Sequence, residues 1–175
     1  MTERHQSHRA LGESAPNPLE AIVGRWRTDG QVIAKEPVPV WGSDVYEMFP
    51  GGHFLIHHVD VTVGQSPVRA IEIIGERDDA DALLARAYDD GGATTLMAVR
   101  IDQAGVWHFT GGSDVAPAAH IDADAAAARG VRSTLSVAAD GQTMTAFWER
   151  TEDGQTWQPW MDIRFTRAAD ASATG

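Results

Sequence analysis

Apolar and polar residues alternate with a period of two along β-rich runs such as Phe54–Val63, Val68–Ile74 and Met144–Arg150, sharply in some and blurred in others. Successive side chains of a strand point to opposite faces, so this alternation predicts half-buried β-strands. Between the stretches, turn-forming residues recur at nearly even intervals: Gly51-Gly52, Gly64, Asp78-Asp79, Gly91-Gly92, Gly105, Asp140-Gly141 and Asp153-Gly154. Most intervals fit one strand plus one hairpin turn. The pattern predicts about ten strands, near 25–34, 43–49, 53–63, 67–77, 82–90, 93–101, 105–111, 131–138, 142–151 and 156–167. Antiparallel neighbours joined by short turns make a meander, and one of this length hides its two edges by closing on itself. The expected fold class is all-β, an antiparallel up-and-down barrel.

Two segments depart from the rhythm. Pro18–Gly24 is expected to form a short N-terminal helix of one or two turns, with Asn17 as N-cap, Pro18 at the first helical position and Gly24 as the stop, plugging one end of the barrel. The alanine-rich run Pro117–Arg129, ending at Gly130, reads as a helical insertion or flap between two strands, with a plain surface loop as the alternative. Residues 1–17 and 168–175 are polar or small and lack periodicity. They are expected to be a disordered arm and tail around a single barrel domain over 18–167.

Composition narrows the functional classes. A chain of 175 residues suffices for one well-buried domain, and with no cysteine it has neither disulfides nor thiolate chemistry. The opening residues Met1 to His8 are polar with no apolar run behind them, so no leader or membrane span is expected and the localisation expected is cytoplasmic. A net charge of −11, spread along the chain, would be repelled by phosphate backbones and anionic membranes, so neither nucleic acid nor membrane is an expected partner. Six tryptophans exceed the five phenylalanines and the two tyrosines. Tryptophan can wall a ligand site, provided its N–H finds a partner when buried.

Gly24-Arg25-Trp26 at the start of the first strand resembles the Gly-x-Trp opening of the calycin group, which includes lipocalins, fatty-acid-binding proteins and haem-binding nitrobindins. The resemblance implies a lipocalin-like barrel with a late-strand basic side chain, Arg164 or Arg167, lying over Trp26. Closer similarity, over Gly24–Arg167, is to a group of bacterial domains of unassigned activity built on the same barrel. It is carried by Phe49–Asp60, Ile71–Gly75 and Asp153–Asp162. This likeness concerns fold and implies no activity.

Candidate chemistry is sparse. His57 and His58 are adjacent on a strand and point to opposite faces, so they cannot chelate one metal together. Leu55, His57, Val59 and Val61 form the more apolar face, which makes His57 the interior candidate, either as a satisfied core histidine or as a proton carrier. Glu72, amid Ile71, Ile73 and Ile74, must be paired, neutral or facing water; with His57 it forms a candidate catalytic acid/base pair or a structural pair. Trp107, Trp148 and Trp160, with Tyr46, Met48, Tyr88 and Met97, are candidate ligand-binding walls, and Asp162 is a further polar candidate. No phosphate-cradling glycine loop, Gly-x-Ser-x-Gly elbow or His-Glu-x-x-His motif occurs. Three readings follow: a barrel that binds a small apolar metabolite, aromatic, polycyclic or polyene; a cyclase or isomerase acting on a polyketide-like intermediate in the same pocket; and a haem protein. Haem is disfavoured because the nitrobindin iron ligand lies late in the chain, whereas residues 121–175 contain no histidine. No metal or other cofactor is expected.

Overall fold

The computed structural model describes residues 17–77, 82–112 and 130–169. The expected arm and tail outside these limits, the Asp78-Asp79 turn and the 117–129 insertion lie outside the described residues. The strands among the described residues are β1 (Gly24–Val32), β2 (Val38–Met48), β3 (Leu55–Val63), β4 (Ser66–Arg77), β5 (Leu83–Asp89), β6 (Thr94–Ile101), β7 (Trp107–Gly112), β8 (Gly130–Val137), β9 (Thr143–Thr151) and β10 (Gln158–Arg167). Each pairs antiparallel with the next, and β10 returns to pair with β1, so the sheet is a closed ten-strand barrel with no free edge. β2 begins five residues before the expected 43, with Pro39 near the strand start, where a missing N–H is tolerated. No helix among the described residues is long and apolar enough to cross a membrane.

Aspartates pin the hairpins. Asp89 accepts hydrogen bonds from the Gly91 and Ala93 amides, Asp102 from those of Ala104 and Val106, and Asp153 from those of Gln155 and Thr156. Each side chain replaces a backbone acceptor and closes its turn.

The helix expected over Pro18–Gly24 is corrected to a single 3-10 turn, Pro18–Ile22. Asn17 accepts from the Leu19 amide as a cap, but the backbone bonds, Glu20 to Asn17 and Val23 to Glu20, span three residues. Gly24 is already paired with Tyr46 in the sheet, which leaves too few residues to develop an α-helix. Leu19 and Ile22 of this turn are buried and fill one end of the barrel.

At that filled end, Trp26, Leu55, Ile74, Val99, Trp107 and Met144 are fully buried. The Trp26 indole donates to the Ile22 carbonyl at 2.9 Å, and the Arg167 guanidinium lies 4.2 Å above its ring. Arg167 also donates to the Val23 and Gly141 carbonyls. Of the two arginines proposed from the sequence, Arg167 makes the contact, because it pairs directly opposite Trp26 whereas Arg164 pairs opposite Asp29 and is exposed. Beyond this end the barrel interior holds a cavity.

Candidate functional site

Strand register assembles a row of polar side chains on the inner wall. In the β2–β3 ladder Tyr46 lies opposite His57, and in the β3–β4 ladder His57 lies opposite Glu72. Directly opposed residues share a face, so one inward histidine brings its two neighbours inward with it. Asp44, two residues before Tyr46 on β2, and Thr28, two after Trp26 on β1, point the same way. His57 Nε2 is 2.6 Å from Asp44 Oδ1 and Nδ1 is 3.1 Å from Glu72 Oε2. The Thr28 hydroxyl donates to the other Asp44 oxygen. Tyr46 stacks on the His57 ring with centroids 3.9 Å apart and planes within 10°.

Carboxylates only accept hydrogen bonds, so a histidine with one at each nitrogen donates to both as an imidazolium. Burial acts against that charge, but the hydrogen bonds and fields of Asp44 and Glu72 outweigh it and push the His57 pKa up to about 9. Burial, reinforced by the negative charge of Asp44 and Glu72, raises the Tyr46 pKa well above its usual value, so the phenol remains neutral. His57 is thus a held acid at neutral pH rather than a ready base.

This cluster lines a cavity of about 230 Å³ that is otherwise mostly apolar. Val59, Val61, Val68, Met97, Phe109 and Ile163 form much of its wall, with Trp148 and Trp160 meeting edge to face at 6.2 Å and 86°. The Trp160 indole N–H is buried and has no hydrogen-bond partner among the described residues. Of the residues singled out from the sequence, His57, Glu72, Tyr46, Met97, Trp148 and Trp160 line this cavity together. The other four do not. Met48 lies opposite Leu55 and packs against the core. Trp107 is buried at the filled end behind Phe109, its ring stacked on that residue at 6.1 Å.

Tyr88 is 46% exposed on the outer face, because its neighbour Ala87 takes the inward position opposite Glu72. Asp162 is exposed as well, and the cause is a bulge in β10 between Pro159 and Met161. Strict alternation from an inward Trp160 would turn Asp162 inward, but the bulge buries both Trp160 and Met161 and reverses the parity beyond them.

Asp44, Thr28, Ser133 and Thr95 also line the cavity and were not among the sequence candidates. A signal existed for each: Asp44 precedes Tyr46 by two, Thr95 precedes Met97 by two, Ser133 precedes Leu135 by two, and Thr28 follows Trp26 by two.

The lining does not fit haem. His57 is the histidine of the cavity among the described residues, and both of its nitrogens are engaged by carboxylates, leaving none for iron. No group of three or more potential metal ligands occurs among the described residues either.

No protein-family model and no curated protein sequence matches the chain. Among solved structures, the crystal structure of Rv2717c from M. tuberculosis superposes with a TM-score of 0.59 at 12% identity, over 90% of this chain and 100% of that one. At that identity the likeness shows the barrel fold alone.

Proposed function

We propose that the protein encloses a small, largely apolar molecule in its barrel, as a calycin-like binder. The observation that carries the reading is the cavity of about 230 Å³, in which an apolar and aromatic wall surrounds one compact polar cluster. A core built only for stability fills its interior with aliphatic side chains, whereas ligand sites combine apolar walls with a few convergent polar groups. The Gly24-Arg25-Trp26 opening and the Arg167 guanidinium over Trp26 support the calycin-like relationship. Because Trp148 and Trp160 line the cavity, tryptophan emission should shift saturably, at one molecule per chain, when a fitting apolar probe is added. A flat emission across neutral apolar probes, with no small molecule retained in native mass spectra of the purified protein, would overturn the reading.

A second reading, a cyclase or isomerase acting in the same pocket, is favoured by one observation: His57 is held between Asp44 and Glu72 at the cavity wall. In that reading one carboxylate, Glu72 by its longer contact, would release the His57 N–H to a substrate carbonyl while the walls hold a flexible substrate in a reactive shape.

A further inference from the structure

The charge of the cavity selects among apolar ligands. With His57 protonated, Asp44, His57 and Glu72 together carry one net negative charge behind an apolar wall. No lysine or arginine lines the cavity among the described residues. Arg150, two residues after Trp148 on β9 and partly buried, lines a separate hollow with Glu152 and Asp153. A net charge withdrawn from water is costly unless an opposite charge joins it.

Three groups are placed to receive such a partner. Glu72 gives one carboxylate oxygen, Oε2, to His57, and among the described residues no hydrogen bond is made to its other oxygen, Oε1. Tyr46, 5% exposed, lines the cavity and has its ring against His57, while its hydroxyl makes no hydrogen bond among the described residues. Trp160, 4% exposed, lines the cavity with its N–H unpartnered. The two carboxylates and three aromatic faces, those of Tyr46, Trp148 and Trp160, all attract a cation.

Resting on the binding function proposed above, we infer that the ligand is an apolar amine: a hydrocarbon body with one protonated nitrogen that meets Glu72 Oε1 and the Tyr46 hydroxyl. The nitrogen donates, the carboxylate accepts, and the net charge of the cluster falls to zero. A fatty-acid carboxylate would instead add a second net negative charge beside Asp44 and Glu72, with no arginine in the cavity lining among the described residues to receive it. The overall charge of −11 draws cationic ligands toward the protein and acts against anionic ones.

Decylamine, decanol and decanoate share one chain and differ in the head group. Titrated separately near pH 7.5, below their aggregation concentrations, and followed by tryptophan emission and calorimetry, they should bind in the order amine, alcohol, acid. The amine should exceed the alcohol by about tenfold or more, the usual worth of one charge-assisted bond. Glu72→Gln should bring the amine-to-alcohol ratio toward one. Where that variant does not fold, the wild-type order decides alone. Alcohol binding as tightly as the amine, or the acid binding tightest, overturns the amine inference while leaving the cavity as a binding site. Failure of all three to bind, with no response to other neutral apolar probes, overturns the binding function and this inference with it.

Discussion

The Tyr46 ring lies flat against the His57 ring, 3.9 Å between centroids, so the imidazolium is covered on one face by an aromatic surface and held edgewise by two carboxylates. This arrangement ties stability to pH. The folded pKa of His57, about 9, exceeds the unfolded value of roughly 6.5. A raised pKa means that the folded state binds the proton more tightly, so the stabilisation is complete below about pH 6.5 and is lost as pH rises through about 9. The loss should be on the order of 3 kcal/mol, read as a fall in the denaturation midpoint across that window. A midpoint independent of pH between 6 and 9.5 would show that His57 is not charged in the fold.

The two carboxylates should not contribute equally. Asp44 makes the shorter bond to His57, 2.6 Å against 3.1 Å, and its free oxygen is fixed by Thr28, whereas Glu72 is more accessible and less constrained. Asp44→Asn should therefore lower the His57 pKa further than Glu72→Gln, as followed by the imidazole resonances in an NMR titration. The reverse order would mean that Glu72 is the principal anchor.

Much of the barrel was legible because turn residues and alternation act locally. Leu55, His57, Val59 and Val61 keep the inward face assigned from the pattern, and Arg167 sits where the Gly-x-Trp resemblance placed a basic side chain. What remained hidden depends on pairing between strands. Asp44 becomes part of the site only through the register that puts Tyr46 opposite His57, and no local pattern encodes that register. Asp162, whose facing the sequence left open, turns outward for the related reason that a bulge resets parity without an unmistakable mark in sequence, although Pro159 stands at it. The N-terminal segment kept its cap but not its helix, since pairing of Gly24 with β2 overrides local propensity.

Two buried tryptophans should respond differently to the loss of their N–H groups. Trp26 donates to the Ile22 carbonyl, while the Trp160 N–H has no partner among the described residues. Trp26→Phe leaves an acceptor unpaired beneath the 3-10 turn and weakens the Arg167 stack, and should cost about 1–3 kcal/mol. Trp160→Phe removes an unsatisfied donor and should cost less than the Trp26 change. Trp26→Ala, which empties a fully buried aromatic site, should cost about 3–5 kcal/mol. Chemical denaturation of the three variants gives the ranking. Equal losses for the two phenylalanine variants would mean that the hydrogen bond to Ile22 contributes nothing measurable.

The choice between binder and enzyme turns on what the proton of His57 does. With a pKa near 9 the side chain is protonated across neutral pH, so catalysis in this cavity would use it as an acid. Turnover by an isomerase or cyclase of this kind would be level through neutral pH and fall as the imidazolium deprotonates near 9, opposite to the rising limb of a histidine base. His57→Ala or Glu72→Gln would then lower turnover about a hundredfold or more while changing affinity for a neutral substrate little, because the lost interaction belongs to the transition state. The binding function predicts otherwise. The imidazolium is already spent on two carboxylates, and donating its proton to a substrate would leave both of them buried beside a neutral ring. Small molecules captured from a cell extract should therefore be released chemically unchanged after long incubation, as mass spectrometry of the bound and free fractions can establish. Loss of one compound with the matched appearance of its isomer, suppressed by His57→Ala, would make the protein an enzyme.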